Sequence, residues 1–237
     1  MTAQINTLIK QSHANWDMWN DIGAIVRSDL VIRWASELAE EPLLGVMASK
    51  MAKHQAKQAL SLIAEEKLMP GPTGETNELY ATGRGVFVVT ASEETSVTGL
   101  VGQLASALVA GNTVIISMPE KHTELANKLQ LTLLQAGFPK SVVLLADYSA
   151  LNGLIEDTST AGVAFVGNAD QAQGINRQLS RRTGLLAQLI AETDLSGLTT
   201  VIDSHFILRF ITEKTRTINI TAVGGNATLL ELGSGDD

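Results

Sequence analysis

Between Gly85 and Ala191, short apolar runs alternate with longer amphipathic stretches, and this pattern constrains the fold more than any other feature of the chain. The runs Gly85 to Thr90, Thr113 to Ser117, Ser141 to Ala146, Gly162 to Val166 and Leu185 to Ala191 read as strands. Helical stretches separate them: Val97 to Val109, ending at Gly111; Glu120 to Gln135, closed by Gly137 and Pro139; and Ala169 to Arg181. A strand that is apolar along its whole length must be covered on both faces, and helices in the crossovers supply that cover. The expected fold class is therefore α/β: an open, doubly wound, Rossmann-like parallel sheet.

Two further regions flank the alternation. Before Met69 the pattern is helical, with Ile5, Leu8, Ile9, Trp16, Trp19 and Ile22 recurring at three- and four-residue spacings. Ser28-Asp29 reads as the cap of a second helix that Pro42 stops, and a third runs from about Leu43 to Lys67. At helical spacing the three tryptophans read as core packing in preference to a ligand cage. At the far end, Thr215 to Thr221 and Thr228 to Leu232 are strand-like, with Gly224-Gly225-Asn226 suited to a tight reversal. The expected organisation is a helical extension over 1–69, a Rossmann domain over 70–211, a β-hairpin flap over 212–233 and a frayed tail over 234–237.

Composition excludes several classes of function. A net charge of −8 with scattered Lys and Arg leaves no basic patch for nucleic acid. No apolar run reaches the ~18 residues of a membrane span. The N-terminus has no basic region followed by an apolar core, so a cytoplasmic chain is expected. With no cysteine there is no disulfide, thiolate metal site or cysteine nucleophile. His13, His54, His122 and His205 lack metal-ligand spacing. No G-x-G-x-x-G, P-loop or G-x-S-x-G pattern occurs at a strand-to-helix junction. Gly167-Asn168 does sit between a strand and a helix start, where backbone N–H groups can hold an anion. By itself the signal is weak, and an ordinary capped helix start is the preferred reading.

Longer stretches carry a resemblance. Gly102 to Ile115 (GQLASALVAGNTVI), Phe165 to Asn168, Ile175 to Leu179, Leu189 to Thr193 and Val201 to Ser204 resemble segments of the aldehyde dehydrogenase superfamily, in its Δ1-pyrroline-5-carboxylate dehydrogenase branch. Leu68 to Asn77, which includes Pro70, Gly71 and Pro72, resembles a signature preceding the C-terminal domain sheet of the proline utilization A family. Thr217 to Leu230, which includes Asn219, Thr221, Gly224, Gly225 and Asn226, resembles that family's closing motif.

The resemblance implies a connection with proline catabolism, and the departures from it shape the expectation. The family's catalytic thiolate is absent, Glu93-Glu94-Thr95 stands where the family has an oxyanion-stabilising amide, and Met118 replaces a ribose-binding lysine before Pro119. Glu192 falls on the general-base position but is followed by Asp194 and Leu195 instead of two glycines. The expectation is a non-catalytic structural or interaction domain that supports or covers a pyrroline-5-carboxylate dehydrogenase active site, or that oligomerises. On this reading Glu192, Gly167 and Asn168 are remnants, no cofactor belongs to this chain, and FAD and NAD belong to other domains. The partner is a dehydrogenase domain or a second copy, met through Pro70–Pro72 and the terminal hairpin. The alternatives are an NAD-dependent dehydrogenase subunit and a nucleotide-binding module using the old cofactor cleft.

Overall fold

The computed structural model describes residues 2–219. The chain begins with four helices: α1 (Thr2–Ala14), α2 (Trp16–Asp21), α3 (Gly23–Glu40) and α4 (Gly45–Leu62). Strands β1 (Lys67–Met69) and β2 (Glu75–Gly83) follow, and β3 (Val86–Ala91) opens the alternating part. That part continues through α5 (Val97–Val109), β4 (Thr113–Ser117), α6 (Thr123–Gln135), β5 (Val143–Ala146), α7 (Leu151–Glu156), β6 (Thr160–Val166), α8 (Ala169–Ser180) and β7 (Gln188–Glu192). A 3-10 turn over Phe206–Phe210 leads into β8 (Ile211–Asn219).

Five strands pair in the order β5-β4-β3-β6-β7, and every pairing is parallel. The chain starts in the middle at β3, runs outward through β4 and β5, then returns to the other side of β3 as β6 and β7. This is the expected doubly wound sheet. Its strands are closed to solvent as their composition requires, with Val86 to Val89 and Val114 to Ile116 at most 1% exposed.

Helix α5 shows how the first face is covered. It is apolar around its whole circumference, which suits only a helix buried on every side. Leu100, Leu104 and Leu108 are fully buried between the sheet and α3 and α4. Each such side chain contributes roughly 1.5–3 kcal/mol relative to exposure. Ser96 caps the helix by accepting from the Gly99 N–H at 3.2 Å. Its last carbonyls are satisfied by distant groups: Trp19 Nε1 donates to Leu108 at 3.1 Å and Arg27 Nε to Val109 at 2.9 Å. Burial lowers the Arg27 pKa to about 10, so the guanidinium stays charged at neutral pH. The second face is covered by α7, α8 and α1, whose Ile5 and Ile9 pack with Val88, Ile115 and Leu154.

The helical region differs from the sequence reading in its breaks. Ser28-Asp29 does not start a helix: both lie inside α3, which begins at Gly23 with φ +83°. Only glycine adopts that angle without strain, so the break falls there. Trp19 and Trp34 are core residues, Trp34 donating to Thr132 Oγ1 at 2.9 Å.

A second, antiparallel sheet has the order β1-β2-β8. β8 pairs with β2 over nine residue pairs, from Gly83↔Ile211 to Glu75↔Asn219. Sequence reasoning placed this strand in a hairpin with 228–232; that second strand lies outside the described residues. Among the described residues, no helix is long and apolar enough to cross a membrane.

Candidate functional site

A cavity of about 600 Å³ opens at the carboxyl ends of β4 and β5. Ile116, Met118 and Glu120 line it from the end of β4, and Leu145, Ala146, Asp147, Tyr148 and Ser149 from the end of β5. Thr123, Ala126 and Asn127 of α6 form one wall, and Gln4 and Leu8 of α1 form another. Ligands of open α/β sheets bind outside the carboxyl ends of the strands, and cavities of roughly 300–1,000 Å³ suit small molecules and cofactors. Beside these apolar side chains the lining carries two carboxylates, two carboxamides and three hydroxyls. Lys121 and His122, which follow Glu120, contact another segment, with Lys121 Nζ 3.3 Å and His122 Nε2 2.9 Å from the Glu93 carbonyl oxygen.

The order of the sheet reverses between β3 and β6, and their carboxyl ends mark the switch point at which ligands of doubly wound sheets bind. Gly167 and Asn168 lie there. The Gly167 N–H donates to the Glu192 carbonyl at 3.0 Å, and Asn168 Oδ1 caps α8 by accepting from the Gln171 N–H at 2.9 Å. A Cβ on Gly167 would fall 2.2 Å from Ser92 Oγ, so the turn must be glycine for the β3 and β6 ends to pack together.

Glu192, at the end of β7, is fully buried. Its Oε1 accepts from the Asp194 N–H at 2.9 Å, and Oε2 accepts from the N–H groups of Thr200 at 2.7 Å and Val201 at 3.0 Å. Three backbone donors hold both oxygens, and the carboxylate closes the turn that follows β7. The adjacent Asp194 is held below the usual carboxylate range by backbone N–H donation from Gly197, then by the hydroxyl of Ser196.

Of the expected interaction residues, Pro70, Gly71 and Pro72 connect β1 to β2, and Asn219 pairs with Glu75 at that same end of the small sheet. Thr221, Gly224, Gly225 and Asn226 lie outside the described residues. The structure therefore gathers Gly167, Asn168 and Glu192 at one end of the parallel sheet, and the Pro70 loop and Asn219 at one end of the antiparallel sheet. Sequence reasoning missed the cavity residues Gln4, Leu8, Glu120 and Asp147. One signal was available for Glu120, an acidic residue just past the second strand of a doubly wound sheet.

The model of the aldehyde dehydrogenase family matches residues 1–202. The chain is 32% identical over 168 residues to the bifunctional protein PutA of Rhizobium meliloti, covering 70% of this chain and 12% of that protein. It is 23% identical over 231 residues to its Salmonella typhimurium counterpart, covering 97% and 15%. The chain thus spans only a small part of the curated relatives it matches. A crystal structure of Bradyrhizobium japonicum proline utilization A superposes with a TM-score of 0.72 at 28% identity, over 81% of this chain and 22% of that one. An NAD-dependent benzaldehyde dehydrogenase of Corynebacterium glutamicum shares the fold at a TM-score of 0.68 and 17% identity, over 81% and 46%.

These findings correct two expectations. A non-catalytic module, not an enzyme by itself, is overturned by the family match, which runs through the whole parallel sheet and its helices, and by a fold shared with dehydrogenases. The expectation that no cofactor belongs to this chain is overturned by the sheet itself. Its strand order is that of a dinucleotide-binding domain, and a cavity of cofactor size lies at the carboxyl ends of its strands. The chain belongs to the aldehyde dehydrogenase family.

Proposed function

We propose that this chain is the cofactor-binding part of an NAD-dependent dehydrogenase of proline catabolism, acting on the aldehyde form of Δ1-pyrroline-5-carboxylate. The observation that carries this reading is the cavity at the carboxyl ends of β4 and β5, in a five-stranded sheet of dinucleotide-binding order. The residues present suit the adenosine half of NAD. Apolar Leu8, Ala126 and Leu145 flank a base, and Glu120 and Asp147 are placed to accept hydrogen bonds from ribose hydroxyls. Met118, 5% exposed, packs against that half without donating a hydrogen bond. Gly167 and Asn168 shape the turn that brings the first turn of α8 to the pyrophosphate. When bound, NAD accepts the hydride of the oxidation.

Glu192 acts on this reading as a strut, because three backbone donors hold its carboxylate inside the turn after β7. The chain has no cysteine, so the acyl-accepting thiolate is supplied from outside these 237 residues. The small antiparallel sheet is the surface for that supplier, a dehydrogenase partner or a second copy. Its outer strand β8 is exposed along all but its first residue. The organisation that goes with this function is a helical region over 1–69, the cofactor domain over 70–211, and a flap and tail over 212–237, in the cytoplasm.

Calorimetric titration with NAD and with ADP-ribose tests the proposal. Saturable binding of both at micromolar concentration supports it. The absence of binding by either ligand, from a chain shown to be folded by circular dichroism, overturns it.

A further inference from the structure

Helix α5 is apolar apart from small hydroxyls and one long polar side chain, Gln103. Gln103 is fully buried, and its Nε2 donates to carbonyls of two neighbouring strands, Phe165 of β6 at 3.4 Å and Ile190 of β7 at 3.1 Å. Both partners can only accept, so the amide cannot turn over without losing both bonds. Among the described residues its Oε1 is buried without a donor. An orphaned buried acceptor opposes stability, and a methionine or leucine would fill the same space without it. What the donor holds therefore accounts for the residue better than packing does. A local rule broken inside a well-packed core is expected where function requires it.

Phe165 and Ile190 lie one and two residues short of the ends of β6 and β7. At those ends Val166 pairs with Glu192, and the Gly167 N–H donates to the Glu192 carbonyl at 3.0 Å. The Val166 carbonyl is also held from the segment after β3, by the Ser92 N–H at 3.1 Å and Thr95 Oγ1 at 3.2 Å. The first turn of α5 lies against the same place. A Cβ on Gly99 would fall 3.2 Å from Val166 Cγ1 and 3.0 Å from Cδ2 of Leu198, in the turn that encloses Glu192. One amide thus ties the strand that leads to Gly167-Asn168 to the strand that ends in Glu192.

Resting on the assignment of a dinucleotide to the carboxyl ends of this sheet, we propose that Gln103 is a positioning residue for the cofactor. It fixes the seam between β6 and β7, so that the Gly167-Asn168 turn and the start of α8 keep the geometry that meets the pyrophosphate. Gln103 touches no ligand and acts through the two carbonyls. The adenosine half, at the ends of β4 and β5 on the other side of β3, lies outside its reach.

The test is calorimetric titration of the full chain, wild type and Gln103→Met, with ADP-ribose, which carries the pyrophosphate, and with AMP, which ends before the second phosphate. Methionine keeps the length of the side chain and suits a helix, and it removes the donor. The expected result is an ADP-ribose affinity lower by about tenfold, the size of one net hydrogen bond, with that of AMP unchanged. The thermal midpoint is expected to move little, because removal of the orphaned acceptor offsets the two lost bonds. Gln103→Leu is a second donor-free variant read in the same way, so misfolding of either one leaves the test intact. Unchanged ADP-ribose affinity, or an equal loss for the two ligands, makes Gln103 a packing residue and overturns the inference while the cofactor site stands. Failure of the wild type to bind either ligand overturns the site assignment and this inference with it.

Discussion

Glu192 shows how a residue's surroundings decide its role. Burying a carboxylate is costly unless donors compensate it, and here three backbone N–H groups do so. Glu192→Ala removes the acceptor and leaves those donors buried, so we expect a loss of about 3 kcal/mol in urea unfolding. A solvent-facing general base would show almost no change, which makes the unfolding curve diagnostic. Asn168 is a milder case. Its side chain satisfies one donor at the start of α8, so Asn168→Ala should cost about 1 kcal/mol.

At the scale of elements, the turn after β7 is tied together in part by the side chain of Asp194. Asp194 has its pKa depressed from 3.8, chiefly by the Gly197 N–H and then by the Ser196 hydroxyl. A depressed carboxylate pKa contributes stability that is complete above the unfolded value and lost as pH falls toward the folded one. The midpoint of thermal unfolding should therefore drop as pH falls below about 4, and Asp194→Asn should flatten part of that dependence. Both are measured by scanning calorimetry across that pH range. Helix α1 is the other telling element. Removing residues 2–14 uncovers the second core and withdraws Ile5 and Ile9, a loss of about 3–6 kcal/mol from those side chains alone. It also removes one wall of the cavity, so dinucleotide affinity should fall with stability. Loss of stability with unchanged affinity would separate the helix from the site.

For the whole molecule, a ligand that binds only the folded state stabilises it by mass action. NAD at a hundred times its dissociation constant should add about 2.7 kcal/mol to unfolding and raise the thermal midpoint accordingly. AMP should give part of the same rise, because the cavity is assigned to the adenosine half. An unmoved midpoint with both ligands would count against the proposed function independently of calorimetric titration.

The sequence by itself determined the parallel sheet, because short strands apolar on both faces have no stable arrangement except between two helical layers. It placed α5 and β4 to the residue, where Gly111 marks the end of the helix and the runs are too apolar to be anything but buried. It also carried the family resemblance, and it located Gly167, Asn168 and Glu192 at strand ends. Local pattern did not show the break at Gly23, where Ser28-Asp29 imitates a cap, nor β2, whose half-buried polar residues form a strand only by pairing with β8, 128 or more positions away. The cavity was equally hidden. Its walls come from α1, β4, α6 and β5, and only the packing of Ile5 and Ile9 on the sheet brings Gln4 and Leu8 to it. Periodicity reports which face of an element is buried; which distant element buries it, and what space is left between them, is decided by tertiary packing.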